Sequence, residues 1–98
     1  MKNLDILNVL RLMFNDPQSS QRKLANKSNL SLGKLNYIIN SLKKKGLVKV
    51  KNFRNIKKKI NYIYLLTPNG ISYKTKITIL YMNKISKEYE SLKKDLNK

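Results

Sequence analysis

The sequence predicts a mainly α-helical α+β fold of three helices, a two-stranded β-hairpin and a long closing helix. Apolar spacing and capping residues predict helices over residues 4–15, 20–29, 31–45 and 68–96. Two β-prone runs, residues 47–53 and 61–66, lie between the last two of these helices. Gly46 follows the third helix and Pro68 begins the fourth, which is the usual placement of these residues at helix ends.

The first helix carries more apolar surface than one helix face needs. One stripe at helical spacing contains Ile6, Leu7, Leu10, Met13 and Phe14. Outside that stripe lie Leu4, Val9 and Leu12. We therefore expect either deep burial within the chain or a second surface that covers the additional side. Pro17 disfavours helix in the residue before it and ends the segment.

The second and third helices are short and separated by a tight turn. Ser20 and Ser31 are suited to cap their N-termini, and Leu24 and Ala25 face inward on the second helix. Asn29 tolerates the left-handed backbone conformation that such a turn requires. Two short helices joined in this way are the helix-turn-helix pattern.

The third helix has an apolar inner face and an outer face without acids. Its inner stripe consists of Leu35, Ile38, Ile39 and Leu42. The outer side chains with hydrogen-bonding or cationic groups are Lys34, Asn36, Tyr37, Asn40, Ser41 and Lys44, with Ser31 at the start of the helix. A solvated helix usually pairs acids with bases at this spacing. We therefore interpret the outer face as a binding surface, the alternative being plain solvation.

The β-hairpin carries a basic tip, residues 54–60, and completes a winged helix-turn-helix. The cations of this tip, which we call the wing tip, are Arg54, Lys57, Lys58 and Lys59. They suit contact with a phosphate backbone or a narrow minor groove, although a charged loop also blocks aggregation at a sheet edge.

The closing helix begins at Thr67 and contains an apolar heptad seam. Its alternating 3-4 positions include Ile71, Thr75, Thr78, Met82, Ile85, Tyr89, Leu92 and Leu96. The seam predicts a homodimer whose contacts are made by Ile71, Thr78, Met82, Ile85, Tyr89, Leu92 and Leu96. The alternative is an amphipathic helix that packs only on its own domain. We expect one domain over residues 1–98, with a core at 4–66 and the dimerisation helix at 68–97.

The charge of the chain predicts a polyanionic partner. The net charge is +17, and between Pro17 and Lys87 there are seventeen Lys or Arg but no acidic residue. Codon bias in an AT-rich genome would raise Asp and Glu nearly as readily as Lys. Nucleic acid is the commonest partner of such a surface, and Gln21 and Arg22 at the start of the second helix are candidate phosphate contacts.

The composition argues against catalysis and against a metal site. The chain has no His or Cys and no acid in its middle, so it lacks the usual acid–base groups and transition-metal ligands. We expect no enzyme activity, no cofactor and no metal. Neither a signal peptide nor a membrane span is evident, and the absence of Cys fits the cytoplasm.

Four short segments of the chain resemble those of one known group of proteins. Residues 20–25 (SQRKLA) resemble that group's SQRELA, and residues 29–37 (NLSLGKLNY) resemble GVSLGKVNY. Residues 45–53 (KGLVKVKNF) and 64–71 (YLLTPNGI) are similar to KGWVKVENF and YLLTPKGI. Together these segments resemble the small MarR-like regulators associated with exopolysaccharide gene clusters. Lys23 and Lys51 stand where a Glu is usual, and Tyr37 stands where the broader family often has an Arg, so that arginine's role is not transferred.

The resemblance implies a dimeric transcriptional regulator of double-stranded DNA. Its third helix would enter the major groove, and its wing would contact the backbone or minor groove. Many relatives bind a small ligand between the DNA-binding and dimer regions, but we assign no effector to this chain.

Two other functions remain open from the residues. Phe53, Tyr62 and Tyr64 beside lysines on a sheet could stack the bases of single-stranded RNA. A third possibility is an interaction module that binds no nucleic acid, for which so basic a middle has little use.

Overall fold

The computed structural model describes residues 2–54 and 60–98 and has the predicted order of elements. These elements are α1 (Asn3–Asn15), α2 (Gln21–Ser28), α3 (Leu32–Lys44), β1 (Val48–Arg54), β2 (Ile60–Leu66) and α4 (Pro68–Leu96). The predicted winged helix-turn-helix with a long C-terminal helix is confirmed. The central lysines of the predicted wing tip, within residues 55–59, lie outside the described residues.

Side-chain caps begin three of the helices, as the sequence predicts. Each cap oxygen accepts a hydrogen bond from a backbone N–H in the first turn: Ser20 from Lys23 at 3.1 Å, Ser31 from Lys34 at 3.1 Å and Thr67 from Gly70 at 3.0 Å. These bonds satisfy N–H groups that the helix itself leaves without a partner.

Two residues with positive φ make the tight connections on either side of α3. Asn29 ends α2 at φ 59° and ψ 35°, and Gly46 follows α3 at φ 71°. After Asn29, the Leu30 N–H returns to the Ala25 carbonyl at 3.0 Å, which turns the chain directly into α3. The angle between α2 and α3 therefore depends on local backbone geometry that the sequence signals.

The two strands form an antiparallel hairpin that is joined to the helical part of the chain near its base. Val48 pairs with Leu66 at its base, and Arg54 pairs with Ile60 at the last described pair. The Tyr64 N–H donates to the Pro17 carbonyl at 3.0 Å, which joins β2 to the loop between α1 and α2. The sheet is thereby held in a fixed position beside α3.

The hydrophobic core draws on all three N-terminal helices, both strands and the start of α4. Its fully buried centre consists of Val9, Leu10, Met13, Leu24, Leu35, Ile38, Ile39 and Leu42. Val9 lies outside the main stripe of α1 but is buried, and Leu12 is partly buried against the core. Most of the additional apolar surface of α1 is therefore covered within the chain, while Leu4 and Phe14 stay exposed.

The long helix α4 packs on the core only through its first half. Gly70 and Ile77 are its buried residues. Every residue from Met82 onward is exposed, and the molecule measures 64 × 26 × 21 Å because this half projects away from the core. Among residues 2–54 and 60–98, no helix has the length and apolarity needed to cross a membrane.

Candidate nucleic-acid interface

The inner face of α3 is buried and its outer face is exposed, as the sequence predicts. The four inner residues are each at most 2% exposed. The outer face is open to solvent, and Tyr37 is 65% exposed near the start of the helix. Burial of one face fixes the rotation of α3 about its axis and so determines which polar side chains point outward.

One flank of the outer face is tied to α1 by an ion pair. The Lys34 ammonium lies 3.1 Å from the Asp5 carboxylate, which is itself largely buried. The predicted outer face carries no acid of its own, so this negative partner comes from a distant part of the chain. Part of the Lys34 charge is consequently used to hold α3 against α1.

The other flank of α3 borders a groove of about 820 Å³ between α3, the start of α2 and the sheet. We call it the α3–sheet groove. It contains three of the predicted contact residues: Gln21, Asn36 and Asn40. Its other polar lining residues are Gln18, Ser20, Lys43, Tyr62 and Tyr64. No carboxylate lines this groove, so its groups are amides, hydroxyls and one ammonium.

Of the polar residues that line the α3–sheet groove, five are absent from the predicted DNA-binding set: Gln18, Ser20, Lys43, Tyr62 and Tyr64. Lys43 follows Asn36 and Asn40 at helical spacing, so the period of α3 could have indicated it. Tyr62 lies on the same sheet face as Tyr64, as alternation along a strand requires. Gln18 has no sequence signal, because its position depends on how the α1–α2 loop packs.

The two tyrosines of β2 have different environments. Tyr64 is 3% exposed and belongs to the core, whereas Tyr62 is 49% exposed. Burial raises the pKa of the Tyr64 hydroxyl above its usual value, and its hydrogen bond with Gln21 partly opposes that shift. Tyr64 is thus a neutral hydroxyl that contacts Gln21 at the start of α2.

A cluster around Asp16 orders the loop that precedes α2. The buried Ser19 hydroxyl donates to the Asp16 carboxylate at 2.7 Å, and the Lys23 ammonium lies 3.5 Å from the same oxygen. The Ser19 hydrogen bond lowers the pKa of Asp16 most, partial burial opposes this, and the Lys23 charge lowers it further. Lys23 stands where a Glu is usual, and its ammonium pairs with a carboxylate in the loop before α2.

The remaining predicted nucleic-acid residues are spread around these two flanks. Arg22, Asn40 and Lys44 are exposed, and Ser41 is half-buried. Ser31 is engaged as the cap of α3. The backbone of Arg54 ends β1, but its side chain and residues Lys57, Lys58 and Lys59 are outside the described part of the chain. The wing-tip assignments thus stay predictions.

The predicted dimer residues form an exposed row along α4. Met82, Ile85, Tyr89, Leu92 and Leu96 are between 57% and 86% exposed, and Ile71 is also exposed. Thr78 is half-buried, and its hydroxyl donates to the Lys74 carbonyl at 2.6 Å. A shallow groove of about 410 Å³ follows this row between Tyr81 and Leu92.

Comparison with known proteins supports the fold. Residues 4–49 match the family model described as winged helix-turn-helix DNA-binding, a range that covers α1 to α3 and the start of β1. No curated protein matches the chain significantly in sequence. Many solved structures do match the fold.

Three of these structures illustrate the likeness. The transcriptional regulator BldR from Sulfolobus solfataricus is 23% identical with a TM-score of 0.73, covering 99% of this chain and 71% of that one. The MarR family protein Rv2887 from Mycobacterium tuberculosis, solved with p-aminosalicylic acid, is 15% identical with a TM-score of 0.65, covering 97% and 78%. ZitR from Lactococcus lactis in apo form is 18% identical with a TM-score of 0.69, covering 92% and 66%.

The six elements and the matched residues define a winged helix-turn-helix fold. The same fold occurs in the MarR family protein Rv2887 and in the transcriptional regulator BldR. The association with exopolysaccharide gene clusters stays a prediction.

Proposed function

We propose that this chain is a sequence-specific regulator of transcription that binds double-stranded DNA as a homodimer in the cytoplasm. The observation that carries the proposal is the outer face of α3, which is polar and cationic, free of acids and held away from the core. We further propose that residues 4–66 and the helix at 68–97 act as one domain.

The dimensions of α3 suit the major groove. An α-helix of 13 residues is about 20 Å long, and a major groove roughly 12 Å wide admits one helix. The exposed amide of Asn36 and the phenol of Tyr37 lie in the N-terminal half of this helix, and both can hydrogen-bond to base edges or phosphates. Asn36 and Tyr37 are therefore our candidates for base recognition.

The surrounding residues suit contact with the DNA backbone. Gln21 and Arg22 lie in the first turn of α2, where backbone N–H groups and the helix dipole favour anions. Asn40, Ser41 and Lys44 extend the outer face of α3 toward its C-terminus. Lys34 contributes a weakened charge because Asp5 is its neighbour. The wing tip supplies Arg54, Lys57, Lys58 and Lys59 by sequence alone.

The homodimer is proposed from the exposed seam of α4. Chains of this size rarely leave a long apolar row uncovered, because burial of each large side chain from water contributes roughly 1.5–3 kcal/mol. The contacts would involve Ile71, Thr78, Met82, Ile85, Tyr89, Leu92 and Leu96. A dimer also presents two copies of α3, which suits two half-sites on duplex DNA.

Affinity for duplex DNA compared with single-stranded RNA, at low and moderate salt, tests the proposal. We expect duplex DNA to bind more tightly and to be protected from cleavage upstream of the protein's own gene. Stronger binding of RNA would contradict the proposal. The structure offers little for stacking RNA bases, because Tyr64 is buried and Tyr62 is the exposed ring among the described wing residues. Failure to bind either nucleic acid would favour an interaction module instead.

A further inference from the structure

The exposed seam of α4 lies on a different side of the helix from the face that packs on the core. Ile77 is the buried centre of the face that packs on the core. At 3.6 residues per turn, the seam through Met82, Ile85 and Tyr89 lies about 100° around the helix from Ile77. The core and the seam therefore occupy different sides of α4, and a second helix can reach the seam while the first half stays packed.

We propose that α4 pairs with α4 of a second copy of this chain as an antiparallel coiled coil centred between Asn83 and Lys84. This inference rests on the proposed homodimer and specifies its geometry. Two observations support the antiparallel register: the sizes of the seam side chains and the distribution of charges beside them.

The side chains of the seam are small at its N-terminal end and large at its C-terminal end. In an antiparallel pair, the small side chains of one copy therefore face the large side chains of the other. Small polar residues, Thr75 and Thr78, occupy the N-terminal half, whereas Tyr89 and Leu92 occupy the C-terminal half. In the proposed register the facing pairs are Ile71 with Leu96, Thr75 with Leu92, Thr78 with Tyr89, and Met82 with Ile85. A parallel pair would instead place Thr75 on Thr75 and Tyr89 on Tyr89, which combines a loosely filled end with a crowded one.

The groups beside the seam are also complementary in the antiparallel register. There, Lys74 of one copy lies beside Asp95 of the other, and Tyr81 lies beside Glu88, each pair occurring twice. In the single chain the Lys74 ammonium lies 4.6 Å from the centre of the Phe14 ring of α1. Lys74 is about 60° around α4 from Ile77, so it lies between the core side of the helix and the seam. The Asp95 carboxylate is well exposed and makes a long ion pair with the Lys98 ammonium, at 3.9 Å. A parallel pair would bring Lys74 beside Ile79 instead.

The shallow groove on α4 fits this arrangement. It is lined by Tyr81, Lys84, Ile85, Glu88, Tyr89 and Leu92. In the antiparallel register it receives Thr78 and Met82 of the second copy, whose side chains are a small one and a flexible one. Both the phenol of Tyr81 and the carboxylate of Glu88 are at its edge, where each meets its counterpart from the second copy.

The proposed register separates the two DNA-binding regions. Because α4 rises about 1.5 Å per residue, the two Pro68 ends would be roughly 46 Å apart, at opposite ends of the coil. The paired α3 helices would then contact separate half-sites rather than one.

Disulfide trapping tests the register, and the chain has no natural Cys to interfere. The full-length variants are Thr75→Cys and Leu92→Cys, prepared singly, mixed with each other and combined in one chain. After mild oxidation we expect covalent dimers from the mixture and from the double variant. Neither single variant should form them, because two copies of one position lie more than a helical turn apart.

Matched controls and mass measurement separate the possible outcomes. A mixture of Thr75→Cys with Lys94→Cys, on the side of α4 away from the seam, should not crosslink. Efficient crosslinking of Thr75→Cys alone would overturn the antiparallel register in favour of a parallel one. A dimer by light scattering without crosslinks in the mixture would overturn this register alone. A monomer at micromolar concentration would overturn the proposed homodimer itself.

Discussion

Asn36 and Tyr37 are the side chains from which we expect base discrimination. Both project from the N-terminal half of α3, and neither is needed for the core. Asn36→Ala or Tyr37→Ala should cost about 1–3 kcal/mol on the cognate site and much less on random DNA, because direct base contacts are lost. The measurement is a titration of each variant on cognate and scrambled duplexes.

The wing-tip variant Lys57→Ala/Lys58→Ala/Lys59→Ala is the matched control for that comparison. It should weaken both duplexes about equally and lower the salt slope by roughly one unit per lost phosphate contact. If the wing variant lost discrimination while the α3 variants lost only overall affinity, the roles assigned to helix and wing would be reversed.

The Asp16 carboxyl should titrate below the usual range for an aspartate. Its pKa is lowered mainly by the Ser19 hydroxyl, with a further contribution from Lys23. A lowered folded pKa means that this cluster stabilises the fold above the unfolded pKa and loses that effect as pH falls through the folded value. Ser19→Ala should therefore raise the pKa of Asp16, as followed by carboxyl carbon NMR.

Ser28→Ala provides a control for the Asp16 titration. The Ser28 hydroxyl donates to the Leu24 carbonyl at 2.7 Å, within α2 and away from Asp16. The control should leave the Asp16 titration unchanged. An unaltered pKa in Ser19→Ala would show that the hydroxyl does not hold the carboxylate.

At the scale of elements, Gly70 fixes how closely α4 approaches the turn after α3. A Cβ at this position would fall on the Leu47 carbonyl oxygen, so Gly70→Ala should cost about 1–3 kcal/mol of stability by overpacking. Gly33 in α3 has open space around the same position, so Gly33→Ala should stabilise by roughly 0.5–1 kcal/mol. Urea unfolding at one fixed protein concentration measures both.

The opposite signs make this pair informative. Both substitutions add one methyl group to a helical glycine, so helix propensity alone predicts stabilisation in each case. If Gly70→Ala were as stable as Gly33→Ala, the close approach of α4 to Leu47 would be wrong.

The sequence predicted the elements well because their boundaries depend on nearby residues. Ser20, Ser31 and Thr67 each cap a helix through a backbone group three residues away. Asn29 adopts the left-handed conformation that the turn was predicted to need, and Gly46 follows α3 as predicted, with positive φ. Such interactions can be inferred from short segments of sequence.

The candidate site could be predicted only in part, because its geometry depends on distant contacts. The ion pair between Asp5 and Lys34 joins α1 to α3, and the position of Gln18 follows from how the Pro17 carbonyl meets β2. Neither contact leaves a local pattern. The outer residues of α3 could be predicted because helical periodicity alone assigns them to one face.

At the scale of the whole molecule, the seam of α4 should determine the oligomeric state. Met82→Lys together with Ile85→Lys places two charges in the middle of the proposed interface, where desolvating them is costly. In light scattering, the mass of the variant should be that of a monomer instead of twice the chain mass. Its affinity for DNA should fall because the dimer is lost. The matched control, Asn83→Lys with Ser91→Lys, adds the same charge off the seam and should remain dimeric. Equal behaviour of the two variants would contradict the seam.

The most direct test of the central claim, specific binding of duplex DNA through charge and the outer face of α3, is a salt titration. The wild-type protein is titrated against its own upstream duplex and a scrambled duplex at 50 and 200 mM salt. With roughly six to ten phosphate contacts per dimer, affinity should fall about 10³–10⁵-fold over this range. The upstream duplex should bind more tightly at both concentrations. A nearly flat salt response, or equal affinity for both duplexes, would contradict the account.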